Sequence, residues 1–130
     1  MTRARMLALF IVAGAIGCAS GGTPSPARAN QQVISQQEIS EAGAGTAYDV
    51  IRRLRPNFLV SRGATTLGNA QGSSMYPNVF LDGIPYGDIS SLRNIDATQM
   101  SEVRMYQSAD AQTKFGLGNG NGVIAITTHK

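Results

Sequence analysis

The sequence runs Phe115-Gly116-Leu117-Gly118-Asn119-Gly120-Asn121-Gly122 and then Val123-Ile124-Ala125-Ile126-Thr127-Thr128, with only His129 and Lys130 after it. A glycine-loaded turn feeds a β-branched run that meets no turn signal until His129. Such a run reads as a strand buried on at least one face, and a strand placed last must pair with something earlier. Gly116, Gly118 and Gly120 would let backbone N–H groups approach an anion. A phosphate loop, however, runs strand, glycines, helix, because the helix N-terminus faces the phosphate. Here the glycines precede the strand, so they read as a turn and nucleotide binding is set aside.

The partners of that strand lie upstream. Val79-Phe80-Leu81-Asp82-Gly83-Ile84-Pro85-Tyr86 places Asp-Gly between two apolar arms. That pair suits a two-residue hairpin turn, whose central positions both need positive φ. Pro85 has no N–H to give a ladder, so the returning arm should be short or at an edge. Val103-Arg104-Met105-Tyr106 alternates like a strand, and Val33-Ile34 is a shorter candidate. Phe58-Leu59-Val60 reads as another, closed by Ser61-Arg62-Gly63.

Helices are signalled by their caps. Ser35 and Glu38 have capping-box spacing, and Thr46 with Asp49 starts a second, stronger helix. In that helix Ala47, Val50, Ile51 and Leu54 share a face. Arg52, Arg53 and Arg55 lie mainly on others and read as a solvated surface. Pro56 ends the run, since the residue before proline avoids the α region. Residues 89–95 support a short helix, Asp96 can cap another turn, and residues 108–115 form a helix with Ser108 as cap and Gly116 as stop. Residues 64–77 are polar and rich in Gly, Ser and Asn, a surface loop of a length that is functional or disordered in small domains. Met75 and Tyr76 at its end are read as folding back on the core. Strands alternating with helices imply an α/β (α+β) domain, a small mixed β-sheet with short helices packed on it.

The N-terminus reads as an address. Residues 1–17 have Arg3 and Arg5, an apolar core over 6–16 and small residues before Cys18, the three parts of an export signal. About eleven apolar residues are too few for a bilayer core that takes about twenty. Cys18 is the only cysteine, so no intramolecular disulfide can form. Ala15-Ile16-Gly17-Cys18 resembles the bacterial lipobox, in which the cysteine is acylated and becomes the mature N-terminus. Ala15 stands where Leu is usual. Ordinary secretion with cleavage after Ala27-Arg28-Ala29, and an uncleaved anchor with a free or buried thiol, are the competing readings. Ala19 after Cys18, rather than Asp, resembles lipoproteins sorted to the outer membrane. Residues 19–32 have linker composition, and fourteen such residues reach roughly 20 Å. The division expected is therefore signal peptide 1–17, lipidated Cys18 and tether 18–32, and folded domain 33–130.

The pI near 9.4 does not imply nucleic-acid binding. Without Arg3 and Arg5 the eleven basic side chains become nine, against eight acidic ones, a net charge of +1. Phosphate-backbone binding needs a dense basic surface, so no nucleic-acid partner is expected.

Residues 46–128 resemble the plug domain of TonB-dependent outer-membrane receptors. The likeness rests on the helix Ala47-Tyr48-Asp49-Val50-Ile51-Arg52-Arg53-Leu54, the hairpin Val79 to Pro85, and Ile95-Asp96 before Met100-Ser101-Glu102-Val103-Arg104. It also rests on Phe115-Gly116 with Asn121-Gly122-Val123-Ile124-Ala125-Ile126-Thr127-Thr128, which is similar to the family's closing Tyr-Gly and Asn-Gly-Val-Ile-Ile-Ile-Thr-Thr. Family receptors continue into a barrel of at least eight strands; a barrel is not expected of this chain, and no convincing energy-coupling box is read in the tether. The resemblance implies the plug fold and an outer-membrane, periplasm-facing setting, not transport by this chain alone. The lipobox adds the expectation of a lipid anchor to the outer membrane, and anchor, tether and plug-like domain together suggest an envelope or β-barrel protein as partner.

Reactive constellations are sparse. His129 is the only histidine and lies far in sequence from Ser73-Ser74 and Ser90-Ser91. Asp82, Asp88 and Asp96 could line one rim for Ca²⁺ or acid/base work, but turn and cap roles account for Asp82 and Asp96. No cofactor, metal or catalytic residue is assigned. The named positions are Cys18 for lipidation and Asp82, Gly83, Gly116 and Gly122 for turns. Two functions follow: a tethered, non-enzymatic interaction module, or a lipoprotein binding a peptide, glycan or metal chelate. Four Tyr, four Phe and no Trp supply few side chains to line a pocket for the second.

Overall fold

The computed structural model describes residues 31–61 and 75–129. Cys18, Ala27-Arg28-Ala29, the signal and tether assignments, Ser73, Ser74 and most of the polar 64–77 stretch lie outside the described residues.

Val123–Thr128 forms β5 at the centre of a five-stranded mixed sheet. With β1 Val33–Ser35, β2 Asn78–Leu81, β3 Ile84–Gly87 and β4 Met100–Tyr106, the strand order is β1-β4-β5-β2-β3. β5 pairs parallel with β2 and antiparallel with β4. Its apolar run is unbroken because both faces are covered. Ile124 and Ile126 enter the larger core, and Val123 and Ala125 join a smaller cluster on the other face. Ile124 is fully buried, and burying a side chain of that size contributes about 1.5–3 kcal/mol.

Helix α1, Gln36–Ala42, begins on the Ser35–Glu38 capping box. The Ser35 N–H donates to Glu38 Oε2 at 2.9 Å, while the Glu38 N–H donates to Ser35 Oγ. The Ser35 backbone N–H is the main cause of a Glu38 carboxyl pKa below the usual range. Arg55 Nη2 adds a bond to Glu38 Oε1 at 2.9 Å, tying the end of the second helix to the start of the first. Helix α2, Ala47–Leu54, is capped by the Thr46 hydroxyl and buries Ala47, Val50 and Ile51, with Leu54 partly covered. Arg53 is not simply solvated: its Nη1 donates to the Ala42 carbonyl at 2.7 Å, filling an acceptor that the end of α1 leaves open.

Three further local readings need correction. Phe58-Leu59-Val60 is no strand: Pro56–Leu59 is a 3₁₀ turn. Proline's fixed φ is already helical, so Pro56 stops α2 and starts the next turn at once. A strand would put Phe58 and Val60 on one face, yet Phe58 is 1% exposed and Val60 58%. The second correction concerns α3, Ser108–Phe115. Its cap is Gln107, with no side-chain cap bond, and Ser108 is already the first helical residue. The chain leaves β4 extended as far as Gln107, which carries the start of the helix one residue back. The third concerns Met75 and Tyr76, which are 54% and 46% exposed rather than folded onto the core. Pro77 is the residue that turns inward there.

Residues 89–95 give a 3₁₀ helix, Ile89–Asn94, capped by Asp88, and Ala97–Gln99 is a second, capped by Asp96. The three-residue repeat suits segments too short to repay an α-helical nucleus. With α1 and α2 they cover one sheet face through Leu92, Ile95 and Ala97. α3 covers part of the other, where the Phe115 ring centre lies 4.5 Å from that of Phe80 at a 47° tilt and 5.2 Å from that of Tyr106 in an edge-to-face arrangement.

Candidate functional site

The β2–β3 hairpin is the part of the sheet most open to another molecule. Asp82 and Gly83 form its turn with φ of 50° and 83°, values that few residues except Gly, Asn and Asp accept. Asp82 does more than turn the chain. Its Oδ1 accepts from the Thr128 N–H at 2.9 Å, its Oδ2 from the Thr128 hydroxyl at 2.7 Å, and its own N–H donates to the Ile126 carbonyl. The hairpin tip is thereby locked to the end of β5, 46 residues away. No local sequence signal announces this contact. Asp82→Ala is expected to destabilise the chain by about 1–3 kcal/mol, because it strips the acceptors from Thr128. Asp82→Asn, which keeps the turn and one acceptor, should recover part of the loss. Urea midpoints of the two variants check this, and equal midpoints would reduce Asp82 to a turn residue.

Every residue of β3 is exposed, with Ile84 at 68% and Tyr86 at 43%. The strand has a partner on one side alone, and Pro85 removes one donor from this edge strand. That blunts indiscriminate strand addition and leaves recognition to side chains.

Beside the hairpin, Tyr48, Tyr76, Asp88, Ile89, Ser90 and Arg93 line a hollow of about 280 Å³. The Arg93 guanidinium carbon lies 4.1 Å from the Tyr48 ring centre, a cation–π geometry. Asp88 sits at the rim with its carboxyl pKa lowered, first by the Ser90 hydroxyl and then by the Ser90 N–H. A second hollow, about 330 Å³, lies between α1 and the Ala97–Gln99 turn and has His129 at its edge.

These placements bear on chemistry. Asp88 caps through Ser90 and Asp96 through Thr98, whose hydroxyl and N–H lower the Asp96 pKa. Asp82 is held by Thr128. Among the described residues no three His, Cys, Asp or Glu side chains cluster to hold a metal ion. Ser90 Oγ donates to Asp88 and Ser91 Oγ to the Asp88 carbonyl, whereas His129 borders the other hollow.

The glycine loop is held by a residue that composition hides. Asn119, 6% exposed, donates to the Phe115 and Gly116 carbonyls and accepts from Asn78 Nδ2 at 2.9 Å. Gly116 ends α3 with φ of 91°. Gly122 has φ of 91° as well, and a Cβ there would stand 2.7 Å from the Tyr106 carbonyl oxygen. These contacts bring the first residue of β2 against the loop that precedes β5.

The order capped helix, Asp-Gly hairpin, 3₁₀ turns, strand, short helix, glycine loop and central closing strand thus describes one fold. Comparison with curated proteins finds no match. A family profile, the TonB-dependent Receptor Plug Domain, matches residues 24–123. Plug domains are non-catalytic components that sit within β-barrel receptors of the outer membrane. With most of its length matched and the mixed sheet in place, this chain belongs to the TonB-dependent receptor plug domain family.

Proposed function

We propose that this protein is an outer-membrane lipoprotein, acylated at Cys18, whose plug domain is a non-enzymatic interaction module engaging a β-barrel or other envelope protein. The observation that carries the reading is β3, an edge strand exposed along its whole length in a family whose members sit within β-barrel receptors. Interfaces of this kind are anchored by a few aromatic and aliphatic side chains, the part taken here by Ile84 at the hairpin tip, 68% exposed. A photo-reactive side chain at position 84, in intact cells, should trap one discrete envelope protein. Recovery of monomer alone would overturn the reading.

Anchoring is tested separately. Cys18→Ser should abolish incorporation of labelled fatty acid and move the protein out of the membrane fraction, because acyl burial at about 0.8 kcal/mol per CH₂ is what retains it. Equal labelling of the variant would remove Cys18 from the account. Among the described residues no helix is long and apolar enough to cross a membrane.

A second reading, a lipoprotein that binds a peptide, glycan or metal chelate, draws on the hollow between Tyr48, Tyr76 and Arg93. A ligand of the folded state must raise the thermal midpoint. A ligand panel that moves the midpoint, with the shift lost in Tyr48→Ala, would favour it over the first.

A further inference from the structure

Resting on the acylation of Cys18, we propose that one end of the sheet is a bilayer-contacting surface, with Leu117, Tyr76 and Tyr86 lying in the headgroup–acyl boundary. The register defines that end. The Met105 N–H donates to the Gln32 carbonyl, Tyr106 pairs with Val123, Val123 with Asn78, and Val79 with Gly87. Gln32, Tyr106, Val123, Asn78 and Gly87 therefore share one end of the sheet. Thr128 and the Asp82–Gly83 tip occupy the other.

Two independent observations meet at the first end. The chain from Cys18 enters the fold there, at Gln31 and Gln32, after a stretch whose composition reaches roughly 20 Å. An acylated Cys18 thus holds this end, rather than the hairpin tip, nearest the bilayer. The large exposed apolar side chains also gather there. Leu117 is 93% exposed on a loop that Asn119 clamps to Asn78 and to the end of α3. Met75 and Tyr76 lead into β2, Tyr86 is one residue from the end of β3, and Ser61, next to Val60, bonds the Met75 carbonyl. Ile84, at the tip, is the exception.

Leu117, 93% exposed on a clamped loop, presents an apolar side chain that can enter among acyl chains with little further ordering. Tyrosine rings with a polar tip favour the membrane interface. Asp88, beside Gly87 with its pKa held low, stays charged and limits the depth to the boundary. The surface would set which way the domain faces on its tether, leaving the β3 tip turned from the membrane.

Because the chain contains no tryptophan, Leu117→Trp and Ile84→Trp each introduce a single reporter at opposite ends. The lipid-bearing full chain is placed in phosphatidylethanolamine–phosphatidylglycerol vesicles with brominated acyl chains. Emission from position 117 should be blue-shifted and quenched severalfold more than emission from position 84. Equal quenching, or none at either position, overturns the proposal and leaves this end to a protein partner. Mass spectrometry of the same sample separates the two failures. An acylated Cys18 without quenching sinks the membrane surface alone, whereas an unmodified Cys18 sinks the anchor and this inference with it.

Discussion

Gly122→Ala is expected to destabilise the protein by about 2–5 kcal/mol, from backbone strain at positive φ and from overpacking. Gly122 has φ of 91°, and the added methyl would lie 2.7 Å from the Tyr106 carbonyl oxygen and 3.0 Å from Met105 Cε. The methionine tip can move. The carbonyl cannot, because Tyr106 is the last residue of β4 and pairs with Val123, the first of β5. Relief would have to come from shifting the entry of the central strand. Against a total stability of about 5–15 kcal/mol, that loss is large. Gly118→Ala is the control: its φ of 102° is equally unsuited to alanine, but nothing lies within 4 Å of the new methyl. Denaturant midpoints should place Gly122→Ala well below Gly118→Ala. Coincident midpoints would mean that strain alone matters and that the contact with Tyr106 yields freely.

Phe58→Ala should cost about 3–5 kcal/mol, the usual range for emptying a buried aromatic site. Phe58 is 1% exposed in the larger core, with α2 and the sheet on either side of that core. Val60→Ala, at an exposed position, should stay within about 0.5 kcal/mol of the parent. The pair distinguishes the 3₁₀ turn from the strand that the sequence suggested, since a strand would bury both side chains on one face and make both substitutions costly. Thermal or urea unfolding followed by far-ultraviolet circular dichroism measures the difference.

Phe58 shows why such a segment misleads. Three apolar residues in a row satisfy strand and 3₁₀ turn alike, and the choice was made by Pro56 and by a sheet whose edges are β1 and β3. The Ser35–Glu38 box, the Thr46 cap and the apolar face of α2 were legible because each is decided by neighbours within one helical turn. At Ser108 the same logic slipped by one residue, since the path of the chain out of β4 fixed the start of α3. The Asp-Gly turn was legible in its shape, but its bonds to Thr128 were not, because they join positions 46 apart.

Taken alone, the amino-acid order determined that 123–128 is a buried strand, that Asp-Gly reverses the chain before it, and that short capped helices fill the space between. These depend on local conformational preference and on the period of apolar residues, and both are written along the chain. Tertiary structure alone decided that β5 lies between β4 and β2, parallel to the latter, and that Asn119 and Asp82 pin its two ends. It also gathered Leu117, Tyr76 and Tyr86 at the end where the chain enters. Such choices follow from which distant surfaces exclude water together and which buried polar groups find partners, and no stretch of sequence carries that information by itself.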